Sequence, residues 1–251
     1  MLHYEFKKRV GKPIVFLHGL GEDHSIFNHQ INYLDGLLKS TLAVDLEGHG
    51  RSLLTDGKTS IPRQAESLDR VLTTEKIPKV DLVGFSLGGA VALEYATKHP
   101  NKVDYVCLIN PALYNDYFLT LHVKLVRNVL EIVKGFAKND NSVRDKPADL
   151  SGAMFSNAHY SFLNGLRATS AAGLYANIHA LMDYGVPKNL SEVNTDTLII
   201  RSDDDELIKE EVVNFLDKEL SYSKIIKIPG KHVVMLDNKE EINKILENFL
   251  S

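Results

Sequence analysis

The chain has 251 residues, 44% of them hydrophobic and 25% charged, with a formal net charge of −4. That composition suits a single folded domain and gives no footing for nucleic acid or stable membrane association. The N-terminus lacks the basic-then-apolar order of a signal peptide, no apolar run approaches a membrane span, and the lone Cys107 cannot form an internal disulfide. A cytoplasmic protein is therefore expected, one domain over residues 1–251, with Cys107 a buried and inert thiol.

Residues 3–9 alternate as an edge strand does, with a turn expected at Gly11. Pro13-Ile14-Val15-Phe16-Leu17 is a short apolar run of the kind buried in a parallel sheet, and it empties into His18-Gly19-Leu20-Gly21. Ser25 is the expected N-cap of a helix whose Phe27, Ile31, Leu34 and Leu38 share one face. Thr41–Val44 is the next strand, and the polar, glycine-rich stretch Asp45–Ser52 follows it. Ser60 with Pro62 marks another helix start, with Ile61, Ala65, Leu68 and Leu72 facing the core. A strand ending at Gly84, a helix from about Leu87 to His99 and a strand from Val103 to Ile109 continue the rhythm. Strand, loop and helix in repetition predict an α/β fold, a mostly parallel, doubly wound sheet with helices on both faces.

The rhythm changes between Pro111 and about Ser191. Phe118, Leu121, Leu125, Val129, Ile132 and Phe136 make one helical face, and further helix-like stretches carry Met154, Phe155, Tyr160 and Tyr175. A helical lid insertion over residues 113–190 is expected here, between core segments 1–112 and 191–251, roofing the carboxyl edge of the sheet. The α/β pattern then resumes. Thr197–Ile200 ends in Arg201-Ser202-Asp203-Asp204-Asp205, a helix carries Val212, Val213 and Leu216, and Lys224–Ile228 ends in Pro229-Gly230-Lys231-His232. A last helix holds Ile242, Ile245, Leu246 and Phe249.

The chemistry gathers around Gly84-Phe85-Ser86-Leu87-Gly88-Gly89. A serine between a strand and a helix, with glycines two positions to either side, reads as a nucleophile elbow. Gly-x-Ser-x-Gly alone would arise by chance in roughly one chain of this length in ten, so its company matters more than the motif. Acyl transfer needs an activated nucleophile, a base, an orienting carboxylate and an oxyanion site, all at the carboxyl ends of parallel strands. Ser86, Asp205 and His232 each follow a predicted strand, in that chain order. The triple aspartate is no EF-hand: the sixth and twelfth positions from Asp203 hold Ile208 and Asn214 in place of Gly and Glu.

With these residues in view, the chain resembles the α/β-hydrolases over nearly its whole length. The resemblance is carried by His18-Gly19, by Asp45-Leu46-Glu47-Gly48-His49-Gly50-Arg51-Ser52, by the elbow, by the acidic turn ending at Asp205, and by Gly230-Lys231-His232. It implies that Ser86 is the nucleophile, His232 the general base and acid, and Asp205 the residue that orients the imidazole. It implies an oxyanion hole from the backbone N–H groups of Leu20 and Leu87, with His18 propping the oxyanion loop. Asp45, His49 and Arg51 would fix their loop. Asp203 and Asp204 adjoin the acid, and Asp116 follows the strand where some relatives carry it; Asp205 is favoured as the last of its turn. Arg201-Ser202 and Asp196 depart from residues common in relatives, an aromatic and glycine in the first case and a proline in the second. The absence of tryptophan and the serine at the elbow argue against haloalkane dehalogenases, and the serine against epoxide hydrolases. The expected activity is a carboxylesterase acting on a small ester-like substrate with no cofactor and no metal, Phe85, Phe118, Met154, Phe155 and Tyr160 shaping the acyl pocket. A C–C hydrolase or thioesterase with the same triad, and a non-catalytic ligand-binding homologue, are the alternatives.

Overall fold

The computed structural model describes residues 1–113 and 169–250. Seven strands form one sheet: β1 Tyr4–Lys7, β2 Val10–Leu17, β3 Lys39–Val44, β4 Val80–Phe85, β5 Val103–Ile109, β6 Asp196–Ser202 and β7 Ser223–Ile228. Their order across the sheet is β1-β3-β2-β4-β5-β6-β7. β1 lies antiparallel to β3, with Tyr4 opposite Val44, and every other neighbouring pair is parallel. Helices α1 Asn28–Gly36, α2 Ile61–Thr74, α3 Leu87–Lys98, α4 Ala171–Tyr184, α5 Glu210–Glu219, α6 Val234–Asp237 and α7 Lys239–Phe249 complete the described chain.

The strand residues divide by parity into two cores, as the pleat requires. Val15, Leu17, Leu42, Val44 and Leu82 face one side, where α2, α3 and α5 pack through Leu68, Ala90 and Val212. Ile14, Phe16, Val83, Phe85, Cys107 and Ile109 face the other, against Phe27, Ile31 and Leu34 of the α1 region and Ile242 and Leu246 of α7. β4, in the middle of the sheet, is buried at every position. Among the described residues no helix is long and apolar enough to cross a membrane.

Topology decides where a ligand can sit. From β2 the chain moves outward to β3, then returns past β2 to β4 and proceeds the other way. The strand order thus reverses between β2 and β4, and a crevice opens beyond their carboxyl ends. His18–Gly21 leaves one of these strands and Ser86 the other.

Several local expectations shift. Gly11 lies inside β2 at φ +83°, where the register with β3 is irregular, so the strand starts earlier than Pro13. Ser25 does not cap α1. Asp23 accepts the Ser25 N–H at 2.9 Å and opens a short 3-10 turn, His24–Phe27, so α1 begins only at Asn28. Ser60 caps α2 as expected, its Oγ accepting the Arg63 N–H at 3.2 Å with Pro62 in the first turn. The last helical region breaks at Asn238 into α6 and α7. Of the expected insertion, the described part is α4 and the residues around it, and α4 is seated by Asn177, whose Nδ2 donates to the Glu47 carbonyl at 2.7 Å.

Candidate active site

The elbow follows from what its glycines lack. A Cβ on Gly84 would come to 2.5 Å from the Gly88 carbonyl oxygen, and a Cβ on Gly88 would overlap the Leu17 carbonyl oxygen. Two hydrogen atoms therefore let α3 start directly against β4 and β2. Ser86, at the junction, has φ +50° and ψ −114°, a conformation that costs a non-glycine residue on the order of 1–3 kcal/mol. Neighbouring backbone holds it there. Ser86 N donates to the Ile109 carbonyl at 3.0 Å, and the Ser86 carbonyl accepts from Gly89 N at 2.9 Å and Ala112 N at 3.0 Å. Leu87 opens α3, where its backbone N–H has no intrahelical acceptor and the helix dipole favours negative charge.

The acid turn and the histidine loop meet beyond β6 and β7. His232 Nδ1 lies 2.8 Å from Asp205 Oδ2, and the Asp205 carboxylate is fully removed from solvent. Its other oxygen, Oδ1, accepts the Leu207 N–H at 2.8 Å and the Ile208 N–H at 2.9 Å. A carboxylate with both oxygens satisfied stays where it is, and its partner nitrogen must be the protonated one. Asp203 and Asp204 are exposed and use their backbone, donating N–H to the Ile228 and Gly230 carbonyls at 2.9 and 3.0 Å. Of the three consecutive carboxylates, Asp205 is the one that faces His232. Phe85, beside Ser86, stacks its ring 4.9 Å from the His232 ring, which places the histidine loop against the elbow. Phe85 is buried, with 1% exposure, and packs under His232.

His18 behaves as a strut. Its Nε2 accepts the Leu46 N–H at 2.9 Å, which leaves the proton on Nδ1 to be donated to the Gly19 carbonyl at 2.7 Å. Burial lowers its pKa, so the ring is neutral and ties the loop carrying Leu20 to the loop after β3. His49, with its ring 5.0 Å from that of His18, is pushed down to about 3 by burial and by that neighbour. Asp45 anchors the same loops: Oδ2 accepts the Arg51 N–H at 2.9 Å, and Oδ1 accepts from His24 N at 2.9 Å and faces its Nδ1 at 2.6 Å.

His3, His24 and Asp45 bring three ligand-type atoms within 4.8 Å of one another. They are already engaged with other groups. The His24 ring lies between Asp45 and Glu5, the latter at 3.2 Å from Nε2; burial opposes its charge, but the two carboxylates outweigh burial and raise its pKa. The Arg51 guanidinium sits 3.3 Å from His3 Nε2. With both His24 ring nitrogens facing carboxylates, the cluster reads as a polar staple between these loops.

Sequence reasoning missed Glu22 and Asn110. Glu22 follows the oxyanion loop and is buried, its Oε2 without a hydrogen-bond partner. Burial pushes its carboxyl up to about 8, the facing Gly19 amide pulling down and Asp23 adding to the rise. The folded protein therefore holds a proton there that the unfolded chain releases near 4.5. Stability from this site is complete below that value and is lost as pH rises through about 8, at about 1.4 kcal/mol per pH unit inside the window. Urea unfolding at about pH 6 and about pH 8 should show the decline, and Glu22→Gln should flatten it by close to one proton. An unchanged slope in Glu22→Gln would mean that another group carries the dependence. Asn110 follows β5 at φ +42° and bonds to two other strand ends. Phe118, Met154, Phe155 and Tyr160, expected in the acyl pocket, lie outside the described residues, as does Asp116.

A sequence profile described as the alpha/beta hydrolase family matches residues 14–245, nearly the whole chain. The chain belongs to the α/β-hydrolase family. Among its relatives is the AB hydrolase superfamily protein YisY of Bacillus subtilis, 26% identical over 254 residues, covering 95% of this chain and 91% of that protein. The human serine hydrolase BPHL is 25% identical, with 99% of this chain and 82% of that protein covered. Solved structures with the same fold include an esterase from Exiguobacterium antarcticum, TM-score 0.80 at 23% identity, covering 99% of this chain and 94% of that one. An enol-lactonase from Burkholderia xenovorans reaches TM-score 0.82 at 19% identity, with 99% and 96% covered. Family membership and the hydrolase descriptions of YisY and BPHL support hydrolase activity for this member, and the solved structures match its fold.

Proposed function

We propose that the protein is a serine hydrolase that cleaves the carboxylic ester of a small molecule through an acyl-enzyme. The observation that carries this reading is the solvent-excluded Asp205 carboxylate on His232 Nδ1, with the His232 ring packed on Phe85, the neighbour of a serine held at φ +50° on a strand-to-helix elbow. With its Nδ1–H donated in a hydrogen bond to Asp205, His232 keeps a lone pair on Nε2. That nitrogen takes the Ser86 hydroxyl proton as Oγ attacks the ester carbonyl. The carbonyl π electrons move to oxygen, and the N–H groups of Leu87 and Leu20 stabilise the oxyanion. As the tetrahedral adduct collapses, the C–O bond to the alcohol breaks and His232 returns the proton to the leaving oxygen. Water then repeats the sequence, giving up its proton to His232 and releasing the acid and free Ser86. Asp205 remains ionised throughout, stabilising the imidazolium and holding the tautomer. No step calls for a cofactor.

An ester is favoured over a C–C bond because esterases, an enol-lactonase and an N-acyl homoserine lactone degrading enzyme recur among the structural neighbours. Purified protein should hydrolyse short p-nitrophenyl esters and leave vinylogous diketones untouched. The reverse pattern would replace the ester reading with a C–C hydrolase using the same residues. Varying acyl and alcohol lengths, with lactones included, then defines the substrate.

A further inference from the structure

Three loops must keep fixed distances if Ser86, Asp205 and His232 act together, and each hangs from a different strand. One buried residue joins all three: its side chain bonds to the supports of two, and the backbone around it holds the third. Asn110, 1% exposed, accepts the Ser202 N–H through Oδ1 at 2.9 Å. Because that partner can only donate, the amide orientation is fixed chemically, and Nδ2 faces the other way. Nδ2 donates to Ser202 Oγ at 2.6 Å and to the His232 carbonyl at 2.7 Å. Ser202 opens the turn that ends at Asp205, so one amide group holds both the acid turn and the histidine loop. The residues flanking Asn110 hold the nucleophile: the Ile109 carbonyl accepts from Ser86 N, and Ala112 N donates to the Ser86 carbonyl. The left-handed φ of +42° turns the chain between these two tasks, a conformation that asparagine tolerates better than most residues.

We propose that Asn110 is a positioning residue that locks the His232–Asp205 pair to the Ser86 elbow, through its bonds to Ser202 and the His232 carbonyl. The inference rests on the triad reading above. Without the side chain, the His232 loop keeps the bond from Asp204 N to the Gly230 carbonyl and the side-chain bond to Asp205, but loses its tie to β5. A displacement of about 1 Å between nucleophile and base is enough to lower turnover about 10²-fold, while an ester that binds elsewhere in the crevice is held as before.

The test uses the full chain and p-nitrophenyl acetate, with active sites counted by completed fluorophosphonate labelling so that kcat is expressed per competent Ser86. Asn110→Ala should lower kcat per labelled site about 10²-fold, change KM by less than about threefold, and slow labelling by a factor similar to kcat. Asn110→Ser, whose hydroxyl can restore a single donation, should recover part of the loss. Tyr184→Phe, which removes a bond to Glu94 about two turns along α3 from the elbow, serves as a control for general loosening and should leave kcat per site unchanged. If Asn110→Ala loses activity only in proportion to its labelled fraction, the residue is structural and the inference is overturned. Should Asn110→Ala fail to fold, Asn110→Ser is read against the same two outcomes. A wild-type protein that is not labelled at Ser86 would instead defeat the serine-hydrolase reading, and this inference with it.

Discussion

Ser86→Ala and His232→Ala are each expected to lower kcat by roughly 10⁴- to 10⁶-fold, and Asp205→Asn somewhat less, with KM little changed. The three losses should not add, because the groups act as a unit: a double variant should be about as slow as the worse single one. Alanine at position 86 removes the atom that forms the acyl-enzyme, leaving only what the oxyanion N–H groups supply. Asparagine at position 205 retains the shape, yet it offers one acceptor oxygen where the aspartate offers two. Oδ1 now receives the Leu207 and Ile208 N–H groups, so a donor NH₂ would be turned toward His232 Nδ1. The imidazole would then be held in the wrong tautomer, with its proton on Nε2, where the serine needs a base. Steady-state kinetics on a p-nitrophenyl ester reads all three. If Asp205→Asn stayed near wild-type turnover while Asp116→Asn abolished it, the acid would be Asp116.

Gly88→Ala is expected to destabilise the protein by about 3 kcal/mol or more, or to prevent folding, which is unusual for the smallest possible addition. The new methyl would overlap the Leu17 carbonyl oxygen and lie 2.7 Å from that of His18. Both are backbone atoms of the strand and loop next to the elbow, so no side chain can rotate away. Relief requires moving α3 off the sheet, which also displaces Ser86 from its partners at Ile109 and Ala112. Chemical denaturation gives the stability. Should Gly88→Ala melt within a degree of the wild type, the tight elbow geometry described here would be incorrect.

Much of this was legible because the relevant physics is local. Ser60 and Pro62 announce α2 through a cap and a fixed φ, both properties of adjacent residues. The five buried apolar residues of Pro13–Leu17 and its glycine-rich exit mark a parallel strand and its loop without reference to the rest of the chain. Ser25 misled for a reason that is also local: Asp23, two residues earlier, accepts both the N–H and the hydroxyl of Ser25, so the carboxylate caps the turn and the hydroxyl is spent on it. The choice among Asp203, Asp204 and Asp205 was less accessible. It depends on which side chain turns toward a histidine 27 residues away while its neighbours pair by backbone with β7 and the loop beyond it. Asn110 was invisible for the same reason in stronger form. Its partners lie 92 and 122 residues downstream, and an asparagine before a proline reads as an ordinary loop residue until three strand ends are brought together. Glu22 gave no signal either, since a glutamate in a polar loop looks solvated and only the packed loop shows it buried.

Reaction with a fluorophosphonate probe, followed by mapping of the modified peptide, tests the central claim most directly. The expected result is a single adduct on Ser86, formed at a rate that falls steeply in His232→Ala and absent in Ser86→Ala. A folded wild-type protein that stays unmodified, or an adduct that persists in Ser86→Ala, would contradict it.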